Sequence, residues 1–325
     1  MEKKDLRIVY MGTPDFAVES LRALVEGGYN VVGVVTMPDK SVGRHGSVLQ
    51  PSPVKQYAVE QGLRVLQPVN LKDEAFVEEL RSLQADLQIV VAFRMLPQVV
   101  WAMPPMGTFN LHASLLPQYR GAAPINWAVI NGETETGITT FFLKHEIDTG
   151  EIIQQVRIPI ADTDNVGVVH DRLMMLGARL VVETVDNILA GRVHPVPQEQ
   201  LMPAGAELRP APKIFKETCR IDWSKSLKQV YDFVRGLSPY PAAWCELVRA
   251  SDDNRQSLKI FVAEKIFESH PYPAGKLLSD GKSYLRVAVS DGLLDVKELQ
   301  LAGKKRMPVA DFLRGFKLAE GDYCC

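Results

Sequence analysis

Two architectures in tandem are predicted: an α/β domain on a doubly wound, mostly parallel sheet, followed by a smaller β-barrel. Three observations carry that expectation. Up to about residue 190, short apolar runs alternate with stretches of helical periodicity, the pattern of parallel strands joined by crossover helices. Between Gly191 and Pro212, Pro195, Pro197, Pro203, Pro210 and Pro212 exclude a helix interior or a central strand, which marks a linker. From Lys213 onward, short strand-like runs separated by Asp-Gly turns take over, the texture of a small barrel of the oligonucleotide-binding (OB-like) kind. The expected domains are therefore residues 1–190 and 213–325, with 191–212 between them.

Leu6–Met11 reads as a strand ending at Gly12, and Phe16, Leu21 and Leu24 give a helical stripe that stops at Gly27-Gly28. Val31–Val35 and Arg64–Leu66 are further strands, and Val54–Gly62 and Asp73–Leu83 are helices. Leu87–Ala92 has the continuous apolar run of a buried strand. The turn Gly12-Thr13-Pro14 is not a G-x-G-x-x-G fingerprint, so a dinucleotide site has little support. Asn165–Leu189 carries apolar residues at helical spacing and is expected to close the first domain. Beyond the linker come a helix, Leu227–Leu237, and strand runs at Ala243–Val248, Leu258–Val262, Tyr284–Ala288 and Leu293–Leu299.

The chemistry concentrates between Gly107 and Gly150. Thr108–His112 alternates as a strand does, which puts Asn110 and His112 on one face. A loop punctuated by Pro117, Gly121 and Pro124 follows, then a helix, Ala123–Asn131, and a strand, Gly137–Leu143, running out toward Asp148. Loops leaving the carboxyl ends of parallel strands line the ligand crevice, so Asn110, His112 and Asp148 are expected to converge there. An amide that polarises a carbonyl, an imidazole that moves a proton and a carboxylate that orients it suit transfer of an acyl group to an amine. An Asn-x-His pair alone also occurs as a satisfied polar pair on a strand. The wider stretch is more specific: Asn-x-His-x-Ser-Leu-Leu-Pro, then Arg-Gly-Ala-Ala-Pro, then Asp-x-Gly.

That ordered set resembles the signature of the folate-dependent formyltransferases, and the likeness runs along nearly the whole chain. It implies a Rossmann-like catalytic domain with Asn110, His112 and Asp148 as catalytic residues and 10-formyltetrahydrofolate as formyl donor, without a metal. It also implies folate contacts from Ser114, Leu115, Leu116 and Pro117, and from the loop bearing Phe93, Arg94 and Met95. In that loop the chain departs from the tyrosine-glycine pair common in the family. Lys213–Trp223, Leu237–Trp244 and Ala302–Met307 resemble the second domain found in the tRNA-acting branch, which implies initiator methionyl-tRNA as acceptor. By the same resemblance the long loop Thr36–Pro53, with Lys40 and Arg44, approaches the acceptor end, and Lys213, Lys304, Lys305 and Arg306 are further tRNA contacts. Alternatives within the family are an amino-sugar-nucleotide N-formyltransferase and a formyl-folate hydrolase module; outside it stands an RNA-binding protein with a vestigial folate fold.

Charge agrees with a polyanionic partner. Residues 1–205 hold 17 Lys and Arg against 23 Asp and Glu, a net of −6, whereas residues 206–325 hold 20 against 16, a net of +4. The first residues show no apolar signal segment, and no apolar run is long enough for a membrane span. Cys219, Cys245, Cys324 and Cys325 lack metal-ligand or disulfide-framework spacing. A cytoplasmic monomer is expected.

Overall fold

In a computed structural model, which describes residues 1–43, 46 and 48–325, the first apolar run forms β1 (Arg7–Gly12), buried from Ile8 onward. Helix α1 (Val18–Glu26) buries Ser20, Leu21 and Leu24, and the chain returns in β2 (Asn30–Val35). The long loop that follows is not structureless. It contains an antiparallel pair, β3 (Lys40–Val42) and β4 (Val48–Gln50), with Lys40 opposite Gln50. Both strands are short and mostly exposed, so they carry no apolar alternation for sequence reading to find.

Ser52 caps α2 (Pro53–Glu60) by accepting from Lys55 N, and Asp73 caps α3 (Glu74–Ser82) by accepting from Phe76 N. Between them lies β5 (Val65–Leu66). After α3 come β6 (Leu87–Val91), buried throughout, α4 (Gln98–Trp101) and β7 (Thr108–His112). Helix α5 (Pro124–Ile130) leads to β8 (Glu135–Phe142), β9 (Ile152–Pro159) and the long α6 (Val166–Leu189). These strands form one sheet in the order β5-β2-β1-β6-β7-β8-β9. The pairs from β5 to β7 are parallel. Strand order reverses between β1 and β6, the kind of switch point beyond whose carboxyl ends open α/β sheets hold ligands, and Gly12–Pro14 and Ala92–Leu96 emerge there.

One expectation changes. β8 runs antiparallel to β7, with Phe142 opposite Phe109 and Thr139 opposite His112. Its carboxyl end therefore lies beside the start of β7, and Asp148 reaches His112 only because residues 143–150 turn back.

The second half holds α7 (Leu227–Leu237), β10 (Ala243–Val248), β11 (Arg255–Ile266), β12 (Leu277–Ser279), β13 (Leu285–Val289) and β14 (Gly292–Leu301), then β15 (Met307–Pro308), α8 (Val309–Gly315) and β16 (Tyr323–Cys324). The sheet order is β12-β13-β14-β11-β10-β16, and a bridge from Tyr323 to Lys276 brings its two ends together as a barrel. Gly275 makes the seam possible: its φ is +86°, and a Cβ there would lie 2.1 Å from Cys324 O. A reciprocal Ser226/Gln229 box starts α7, whose Leu227, Val230, Tyr231, Val234 and Leu237 join the barrel core.

Contacts divide the chain into two units. One gathers Met1–Gly121, Gly137–Ile158 and His170–Pro210; the other gathers Ala122–Thr136, Pro159–Val169 and Ala211–Cys325. The proline-rich stretch is not a free tether, since Val196 bridges to Ile152 and Tyr119 N donates to Arg209 O at 2.7 Å within the first unit.

Candidate active site

Alternation along β7 decides what reaches the site. Leu111 points toward α6, where Gly177 leaves it room; a Cβ at Gly177 would come within 2.7 Å of Leu111 Cδ2. Thr108, Asn110 and His112 take the opposite face. Thr108 is occupied internally, its hydroxyl 2.7 Å from Trp101 O and 3.1 Å from Gln88 Oε1. Asn110 is different. Its Oδ1 is buried and has no hydrogen-bond partner among the described residues, which is costly unless something else supplies one.

His112 is 6% exposed, and its Nε2 sits 2.9 Å from Tyr119 O. A carbonyl only accepts, so Nε2 carries the proton and the lone pair of the neutral ring is on Nδ1. Nδ1 faces Asp148 Oδ2 at 4.0 Å, too far for a hydrogen bond. The tautomer is thus set by a main-chain carbonyl, whereas the chemistry alone suggested the carboxylate. Asp148 is held from elsewhere, accepting from Gly121 N at 3.0 Å. Tyr119 (φ +59°) and Asp148 (φ +54°) both occupy the left-handed region, a strained backbone that persists where surrounding contacts enforce it.

The enforcing residue for Asp148 is Gln198, which sequence reasoning missed. It is fully buried, and its Nε2 donates to Asp148 O at 2.7 Å and Gly150 O at 2.8 Å. Its Oε1 accepts from Arg120 Nη2 at 2.7 Å and Nε at 3.1 Å. Gly150 completes the turn, because a Cβ there would lie 1.6 Å from Phe142 O.

The loop after His112 is braced from inside. Ser114 Oγ donates to Gln118 O at 2.7 Å, Thr139 Oγ1 donates to Ser114 O at 2.7 Å, and Gln155 Nε2 donates to Leu116 O at 3.0 Å. Leu116 packs with Phe141 and Ile152. Ser114, Leu116 and Pro117 are buried, so they support the loop instead of presenting side chains to a ligand; Leu115 keeps partial exposure.

The loop after β6 begins at Ala92 with φ +48°. Phe93 is half-buried, Met95 is 71% exposed, and Arg94 turns away to the segment after β5. Its Nη1 donates to Val69 O at 2.7 Å and its Nη2 to Pro68 O, and burial pulls its pKa down. Arg94 is therefore a brace and not a free cation in a pocket.

The basic candidates separate. Lys40 is exposed on β3, while Arg44 lies outside the described residues. In the second unit Lys213, Lys304 and Lys305 are exposed, with the Lys213 ammonium 5.4 Å from the Phe215 ring. Arg306 is committed to Glu298, at 2.7 and 2.6 Å, and lies over Phe261. Lys216 and Arg220, which the charge pattern groups with Lys213, flank Trp244, 5.8 and 5.4 Å from its ring, so the basic cluster has an aromatic face beside it.

The family model described as formyl transferase matches residues 6–185, and that of the formyl transferase C-terminal domain matches residues 213–317. The methionyl-tRNA formyltransferase of Phocaeicola vulgatus is 76% identical over 322 residues, 99% of either chain. That of Parabacteroides distasonis is 72% identical over 317 residues, 98% of either chain. Among solved structures, an N-formyltransferase from Helicobacter canadensis with folinic acid and dTDP-3-aminofucose superposes at a TM-score of 0.63 and 18% identity, covering 93% of this chain and 100% of that one. HypX from Aquifex aeolicus, in complex with tetrahydrofolic acid, gives 0.62 and 19%; the match covers 97% of this chain, which spans about half the length of HypX, 48% of it. At those identities the likeness is one of fold. No helix among the described residues is long and apolar enough to cross a membrane.

Proposed function

The chain belongs to the formyl transferase family, and from that premise we infer that it transfers a formyl group from 10-formyltetrahydrofolate to the α-amine of methionyl-tRNA. The observation that carries the choice of acceptor is identity of 70–76% along the full length, second domain included, to enzymes named for that reaction. The donor supplies the formyl carbon and a folate nitrogen as leaving group. The amine nitrogen bonds to that carbon as the carbon–folate nitrogen bond breaks.

Asn110 fits the electrophilic role. Its buried amide has an end without a partner, and rotation about the last torsion presents Nδ2 as the donor to the oxygen on which negative charge grows. His112 offers the lone pair of Nδ1, because Tyr119 holds the proton on Nε2. Asp148 stands 4.0 Å away as counter-charge for the protonated ring, so the two together can take the proton released by the amine and return it to the leaving nitrogen. An α-amine has an ordinary pKa of about 7.7–8.0, and a neutral base suffices to free it.

The folate ring belongs in the crevice at the switch point between β1 and β6, against Phe93 and Met95 on one side and the Ser114–Pro117 loop on the other. Lys40, Lys213, Lys304 and Lys305, exposed and without an ion-pair partner among the described residues, are the proposed phosphate contacts. A charged tRNA as acceptor puts the enzyme in the cytoplasm, and one chain carries every proposed catalytic group, so a monomer suffices.

The test is a formyl-transfer assay with charged initiator tRNA, free methionine and a dTDP-amino sugar as acceptors. Transfer to the tRNA alone is expected. Transfer to the sugar alone, or formate released with no acceptor, overturns the assignment. Asn110→Ala should lower kcat by about a hundred- to thousandfold with little change in KM; undiminished turnover removes the oxyanion role.

A further inference from the structure

A chain of polar contacts that the chemistry does not use links the loop after β6 to the β3–β4 hairpin. It starts at the Arg94 fork on Pro68 O and Val69 O. The residue before Pro68 is the next link: Gln67 Nε2 donates to Met37 O at 3.1 Å and to Asp39 Oδ1 at 2.8 Å. Asp39 holds Lys55 Nζ at 2.9 and 2.7 Å through its two oxygens. Beside it the hydroxyls of Thr36 and Ser52 meet at 2.7 Å. Met37 and Asp39 lead into β3, and Ser52 and Lys55 follow β4, so both roots of the hairpin are fastened at one place.

The elements at the two ends have little other support. Two strands alone are marginal in water, and among the described residues β3 and β4 pair only with each other, which leaves their setting to the roots. At the far end, Ala92 is in the left-handed region and Met95 is exposed, so the loop gains order from whatever fills the crevice against it. Arg94 belongs to both. Its guanidinium carbon lies 5.7 Å from the Phe93 ring, and a lysine there would reach one carbonyl at a time.

We propose that Arg94 is a positioning residue that couples occupation of the folate crevice to the setting of the β3–β4 hairpin, and hence to RNA binding, through Pro68–Val69, Gln67 and Asp39. The proposal rests on the functional reading above, which puts the folate ring at the Phe93–Met95 loop and Lys40 near the RNA. A ligand that fixes Phe93 and Met95 fixes Arg94 and, through it, the carbonyls next to Gln67. Linkage makes the effect reciprocal: folate tightens tRNA binding by the factor by which tRNA tightens folate binding.

Hydrogen exchange followed by mass spectrometry on peptides spanning residues 36–43 and 48–56, with and without 5-formyltetrahydrofolate, reads the coupling; calorimetry reads folate binding separately. In the parent, bound folate should slow exchange in both peptides by about fivefold or more. Arg94→Met keeps an unbranched apolar stem without the guanidinium fork, and Gln67→Met keeps the volume of a residue outside the crevice. Both should bind folate in the absence of tRNA and lose most of that slowing, and Gln67→Met should weaken tRNA binding in the presence of folate, and folate binding in the presence of tRNA, by the same factor. A parent that binds folate with no change in exchange, or slowing that survives in both variants, overturns the coupling and leaves the reaction intact. A parent that binds no folate overturns the functional reading itself.

Discussion

At the scale of single residues, the geometry proposed for catalysis depends on main-chain atoms that hydrogen-bonded side chains hold in strained positions. Tyr119 supplies a carbonyl, not its ring, to His112, and Asp148 keeps a left-handed backbone because Gln198 ties its carbonyl and that of Gly150 together. Gln198→Leu keeps the volume but leaves two buried carbonyls without that donor, so a loss of about 1–3 kcal/mol in stability is expected. Because the carboxylate then drifts, kcat/KM should also fall, by about 10- to 100-fold. Thermal melts and steady-state kinetics on one preparation separate the two effects. Asn110, His112 and Asp148 could be proposed from the sequence because their chemistry lies in their side chains and their order in a motif, and the structure brings His112 and Asp148 to within 4.0 Å of each other. Gln198 was not, since it sits among prolines with no periodic pattern to mark a buried position. The partner of His112 Nε2 was invisible for a simpler reason: every residue has a carbonyl.

At the scale of elements, the parallel strands were readable from their apolar runs, and the exceptions have physical causes. β9 was overlooked because Gln154, Gln155 and Arg157 break up its Ile152, Ile153, Val156 and Ile158, of which only Ile152 is buried. The direction of β8 was not readable, because composition is the same for either direction and only pairing with β7 settles it. The β3–β4 hairpin was taken for loop, and its fastening has a testable pH dependence. Hydrogen bonds from Lys55 and Gln67 hold the Asp39 carboxyl below its ordinary pKa. A lowered carboxyl pKa contributes stability that is complete above the unfolded value, about 3.9, and is lost as pH falls through the folded value. Protection of peptide 36–43, corrected for intrinsic exchange, should therefore hold down to about pH 4 and fall below it. In Asp39→Asn it should be weaker at neutral pH and lack the acid step.

At the scale of the whole molecule, the opposite net charges of the two halves predict unequal salt sensitivity. Raising salt from about 50 to 200 mM should raise KM for tRNA steeply and KM for folate far less. Lys304→Ala and Lys305→Ala should each lower the slope of log KM against log salt by about one if that lysine meets a phosphate. The change of texture near residue 213 was plain in the sequence, yet contacts also assign Ala122–Thr136 and Pro159–Val169 to the second unit. No local pattern announces that membership, because its bonds reach across the chain: Asn126 Nδ2 donates to Gly236 O at 2.9 Å, and Arg235 Nη1 to Asp164 O at 2.9 Å. A severed piece beginning at Lys213 would keep the Arg235–Asp232 pair but lose the carbonyls of Ala161 and Asp164 that complete it. It would also leave the notch at Gly236, where Ile130 fits, open to water. Grafting this half onto another enzyme therefore means transplanting three separate stretches of polypeptide together, and a chimaera spliced at the obvious seam should misfold.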